Sequence, residues 1–109
     1  QREPGESSAS IRERVVAARV RQQERFAEAP FFSNSEMNSR ALRDFCPLSP
    51  EVESLLKTAI EQFALSARAH DRIIKLARTI ADLEGAEQIG VAHAAEAVQY
   101  RSFDRKLWG

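Results

Sequence analysis

The apolar positions of this chain recur at helical spacing and nowhere at strand spacing. Val52, Leu55, Leu56, Ala59, Ile60 and Phe63 stand at offsets of 3, 4, 7, 8 and 11, the strongest amphipathic stretch in the sequence. Ser49 supplies an N-cap for that helix and Pro50 its first position, while Glu51 and Glu53 place negative charge where the helix dipole favours it. A second stripe, Ile73, Ala77, Ile80 and Leu83, predicts a helix capped by Ser66 and stopped at Gly85. On that helix Asp71 with Lys75, and Arg78 with Asp82, form i, i+4 pairs. Beyond Gly90, Val91, Ala94, Ala95 and Val98 mark the inward face of a last helix ending near Tyr100.

Nearer the start, Ser10 and Glu13 fit a capping box. The helix they open carries Ile11, Val15, Ala18 and Phe26 on one face and is expected to run to about Ala27, ahead of Pro30. Arg14, Arg21 and Arg25 share another face, expected to be solvated and paired with Glu13, Glu24 and Glu28. FFSNSEMN reads as an irregular connection whose Phe31 and Phe32 plug into the core, and Ser39 to Phe45 as two helical turns closed by Cys46 and Pro47. Residues 1–9, QREPGESSA, read as a disordered lead or linker, and residues 106–109 as a tail. No segment alternates with period two. The pattern therefore predicts one domain, an all-α bundle of about five helices.

Composition narrows the function. Sixteen basic and sixteen acidic side chains balance in 109 residues, so any grip on nucleic acid or a membrane must come from a local patch and not from an overall field. Thirteen of the sixteen basic residues are Arg, whose planar fork suits phosphate and carboxylate. Cys46 is the one cysteine, which excludes an internal disulfide, fits a reducing compartment and reads as a small core residue. With no leader, long apolar run or lipidation motif, the expectation is a cytoplasmic protein with no membrane partner.

Self-sufficient catalytic chemistry is not visible. GxxxxGK[ST], GxGxxG and HExxH are all missing from the sequence. His70 and His93 stand apart from any Cys or His at ligand spacing, so no metal site is expected, and no catalytic residue either. His70 and Asp71 are neighbours expected to point to different helix faces, which argues against a dyad. What remains is cationic: Arg68, Arg72 and Lys75 lie at i, i+4 and i+7 on one face of the helix that Ser66 opens. A cation in a first turn meets the positive end of the dipole, a mild cost that a bound phosphate would remove. Two readings stay open, an anion-binding face or arginines paired with surface carboxylates of the first or third helix.

LSARAHDRIIKLARTIADLEG and IGVAHAAEAVQYRSFDR, with RERVVAARVRQQERF, SNSEMNSRALRDFCPLSP and LLKTAIEQFALSARA upstream, resemble the C-terminal helical domain of the magnesium-chelatase-like AAA+ ATPases, in the ComM/YifB subfamily. The resemblance covers about residues 10–105. It implies a helical lid joined to an AAA+ core of the same polypeptide. ATP and Mg2+ would be held by that parent and not by this fragment. The SAR segment resembles the sensor-2 motif, whose Arg reaches the γ-phosphate, and that role falls on Arg68; Arg72 and Lys75 would be supporting cations. A homo-hexameric helicase, remodelling DNA in recombination and transformation, is implied for the parent. Tyr is expected in the family where His70 stands here.

Two other classes compete with that reading. In an independent DNA-binding module, the last two helices and EGAEQIG would mimic a helix-turn-helix, and Arg101, Arg105 and Lys106 would contact phosphates. Zero net charge and an Ala- and Val-rich last helix count against it. In a protein-interaction bundle, Phe103 and Trp108 would dock on a partner.

Overall fold

The computed structural model of the protein describes residues 7–108, with side chains through Arg101. Five α-helices follow one another: α1 (Ser8–Arg25), α2 (Ser39–Phe45), α3 (Pro50–Phe63), α4 (Ala67–Glu84) and α5 (Val91–Trp108). One 3-10 turn, Asn34–Glu36, lies between α1 and α2. No strand occurs among the described residues, and the architecture is the expected all-α bundle. Helix α4 is its centre: α1, α2, the 3-10 turn and α5 all pack on it, and α3 closes against α5.

Capping chemistry sets most of the boundaries. Ser49 Oγ accepts the Val52 amide at 3.3 Å and Ser66 Oγ the Ala69 amide at 3.1 Å, as the sequence predicts. Gly85 closes α4 at φ 79°, a left-handed conformation that costs glycine nothing. Helix α3 ends the same way on Ala64 at φ 53°, where the side chain makes that conformation unfavourable.

The ends of the chain depart from expectation. Helix α1 is capped by Ser7, whose Oγ accepts the Ser10 amide at 3.0 Å, and not by Ser10. An earlier serine can do the same capping and adds a turn, so residues 7–9 belong to the fold and not to the lead; residues 1–6 lie outside those described. The helix stops at Arg25, five residues before Pro30. Phe26 ends it by turning into the core, with its ring edge-on to Phe31 at 5.6 Å and to Phe45 at 5.2 Å. Helix α5 runs past Tyr100 to Trp108 and so takes in residues 106–108 of the expected tail.

Leu56, Ile73, Val52 and Met37 are the large, fully buried apolar residues of the core, and Ala77, Ala94 and Ala97 let the helices approach closely around them. Each large apolar side chain contributes about 1.5–3 kcal/mol by leaving water. Cys46 is buried beside Met37, as a small core residue should be. Phe31 packs on this core, but Phe32 is 86% exposed: the chain reverses there, with the Phe32 amide donating to Glu36 Oε1, and only one of two adjacent rings can face inward. Phe63 and Val91, at helix ends, are exposed as well.

Candidate functional site

Ser66 fixes the start of α4. Its hydroxyl takes the Ala69 amide and its carbonyl the His70 amide, while the Ala67 and Arg68 amides have no intrahelical acceptor. Arg68 is exposed at that end, with no hydrogen bond or ion pair to a described residue. Arg72, one turn further, is also exposed and has no partner among the described residues. The pairing with carboxylates of the first or third helix is therefore not found. Lys75 leaves this face and donates to the Ser35 carbonyl at 3.3 Å, not to Asp71. The first half of α4 thus presents two arginines to solvent beside a helix N-terminus, an arrangement suited to phosphoryl or carboxylate oxygens.

Asp71 is occupied elsewhere. It accepts from Ser39 Oγ at the start of α2, and its other oxygen lies 3.5 Å from His70 Nδ1. The two neighbouring side chains thus come together here, against expectation. His70 and Asp71 line an open groove of about 810 Å³ between α2, α3 and α4, whose floor includes Leu42, Cys46, Ile60 and Ile74. Burial pushes the Cys46 thiol above its ordinary range, with Arg78 and Arg25 opposing more weakly. A buried neutral thiol is a poor nucleophile.

The second half of α4 gathers charged and polar side chains from three elements, of which only the Arg78–Asp82 pair is expected from spacing. Asp82 is fully buried, and Arg25 of α1 grips it with both nitrogens, Nη2 to Oδ1 at 2.6 Å and Nη1 to Oδ2 at 3.0 Å. Arg78 Nη2 approaches Oδ1 at 3.1 Å, which realises the predicted i, i+4 pair, and Asn34 donates to Oδ2 at 2.9 Å. Arg21 reaches the Asp82 carbonyl at 3.1 Å. Arg21 and Arg25 are therefore inward-facing, a correction to the solvated stripe expected for them. Arg78 also donates to the Ala86 and Glu87 carbonyls at 2.7 and 2.9 Å, which fixes the turn into α5. Burial lowers its pKa, and Asp82 opposes that shift. An i, i+4 count reveals the Arg78 contact. Nothing local reveals Arg25, which is 57 positions from its partner.

His93 completes the turn. Its Nδ1 accepts the Gly90 amide at 2.9 Å and its Nε2 lies 2.8 Å from Glu84 Oε1. A side chain at the third helical position reaching back to the cap amide has capping-box geometry, here with His in place of Glu. His93 is thus a structural residue, and no group of three potential metal ligands exists among the described residues. Arg105, Lys106, Phe103 and Trp108 have side chains outside the described set.

The sequence profile described as "Magnesium chelatase, subunit ChlI C-terminal" matches residues 5–101. The chain belongs to this family. Among curated proteins it is similar to the uncharacterized protein YifB of Escherichia coli, 42% identical over 104 residues, which are 95% of this chain and 20% of that protein. It is similar to the competence protein ComM of Haemophilus influenzae, 41% identical over 103 residues, 94% of this chain and 19% of that protein. A Mycobacterium tuberculosis protein, Rv2897c, is 33% identical over 97 residues, covering 89% of this chain and 19% of its own length. The chain therefore spans about a fifth of the length of the curated relatives it matches. No solved structure matches it. The chain is thus a C-terminal domain of a magnesium-chelatase-like AAA+ protein. No helix of the described residues is long and apolar enough to cross a membrane.

Proposed function

We propose that this domain is the lid of an AAA+ ATPase and that Arg68 senses the nucleotide held by the preceding core of the same polypeptide. The observation that carries the reading is the exposure of Arg68, without a partner among the described residues, at the capped N-terminus of α4. A guanidinium and free amides form a donor set that fits phosphoryl oxygens. Mg2+ would be held by the core together with the nucleotide. ATP, when bound, supplies a terminal phosphoryl group whose presence or absence the lid registers.

Arg68 gains a charge-assisted bond while that group is present and loses it afterwards, and one such bond is worth about 1.5–3 kcal/mol. That difference biases a two-state lid angle by roughly one to two orders of magnitude. Arg72, one turn away, adds positive potential at the same end, and Lys75 is tied to the 3-10 turn. In a homo-hexameric ring the lid motion would pass to the neighbouring subunit and to DNA in recombination or transformation. The name of the competence relative supports this direction. Arg68→Ala in the full-length parent should lower ATP turnover by about tenfold or more, with the isolated domain's unfolding curve unchanged. Unaltered turnover removes the assignment.

A further inference from the structure

Helix α1 is apolar on two faces. Ala18 and Phe26 turn inward and are buried, with Ile11 half-buried behind them. On the opposite side Ala9, Val16 and Val20 stand in line at offsets of 7 and 11, with Val16 54% and Val20 43% exposed. A shallow cavity of about 370 Å³, lined by Ala9, Arg12, Glu13, Val16 and Ala17, runs beside them. A helix on the surface of a domain needs one apolar stripe, not two. The outer stripe has a distinct electrostatic frame: Arg12 and Arg19 border it on one side, Glu13 and Glu24 on the other.

The occupant follows from where α1 lies. The domain is the C-terminal fifth of its curated relatives, so in them most of the polypeptide comes before this helix. We infer that the Ala9, Val16 and Val20 stripe docks on an apolar ridge of that preceding part, acidic where it meets Arg12 and Arg19 and basic where it meets Glu13 and Glu24. A chain that has just left one domain has a high effective concentration for docking back on it, so a modest apolar patch suffices. Opposite charge along the two borders fixes the direction of the docked ridge, as flanking charges do in coiled coils. The inference rests on family membership and is independent of the role given to Arg68.

The test is maleimide labelling of Val16→Cys and Val20→Cys, made singly, in the isolated domain and in the full-length parent, with the modified site read by mass spectrometry. Cys46 is buried and contributes a slow background. Labelling should be at least about tenfold slower in the parent, which corresponds to ~1.4 kcal/mol of docking free energy. Equal rates in the two proteins overturn the inference. So does protection in the isolated domain that grows with concentration, since that assigns the face to a second copy. Arg12→Glu with Arg19→Glu in the parent should restore fast labelling while the isolated domain unfolds at the same temperature. Continued protection in that variant overturns the charge-matched docking.

Discussion

The two halves of α4 carry the same kinds of residue and use them oppositely. In the second half Arg78 and Asp82 are buried, and α1 lays Arg25 across them. In the first half, Arg68 and Arg72 are exposed, and neither has a counter-charge among the described residues. The physical difference is desolvation. A buried charge has lost its water and must be matched by fixed partners, so it locks neighbouring elements in register; an exposed one keeps its water and remains free to exchange it for an incoming anion. One half of the helix holds the domain together, and the other half is available.

That contrast is open to direct attack. Asp82→Ala should be the most damaging change, about 3–5 kcal/mol in denaturant unfolding, because Arg25 and Arg78 would be left facing each other in a site with no anion. A loss below about 1 kcal/mol would show that water enters the site and that the two halves differ less than their burial implies. Ser66→Ala removes the cap of the exposed half and should cost about 1 kcal/mol, a value typical of a lost N-cap. Gly85→Ala should cost about as much at the other end, since φ 79° disfavours a side chain and its Cβ would come 3.0 Å from Arg21 Nη2. Arg68→Ala and Arg72→Ala should leave unfolding unchanged to within about 0.5 kcal/mol, because both side chains are exposed.

The smallest effect is a pH slope from Cys46. Its folded thiol titrates above its ordinary range because burial disfavours the thiolate. The unfolded chain releases that proton from about pH 8.5, while the folded chain retains it. Stability is therefore full below that pH and falls as pH rises through the window between the two values. Cys46→Ala should abolish the slope while lowering stability at every pH; an unchanged slope would place its origin elsewhere.

How much of this was legible depends on how far apart the interacting residues lie. Ser49, Ser66 and Gly85 announce helix ends because a cap acts within one turn. The stripes of α3 and α4 announce core faces because burial follows the helical period, and Val52, Leu56, Ile73 and Ala77 are all buried. Arg68 was legible as an odd cation in a first turn. Arg21 and Arg25 were not legible as inward-facing, since their spacing fits a solvated stripe equally well and only Asp82 distinguishes the cases. Phe32 misled for a related reason, since a ring in a loop has no periodicity to say which way it turns.

Local chemistry by itself determined the helices, their caps and the all-α class, because those depend on contacts a few residues long. Family blocks spread along the chain determined what kind of parent it belongs to. Only the tertiary structure decided which cations are buried and which are free, and that the outer valines of α1 face solvent. The crossing of α1 over the second half of α4 makes that choice, and no short-range rule specifies where two helices cross.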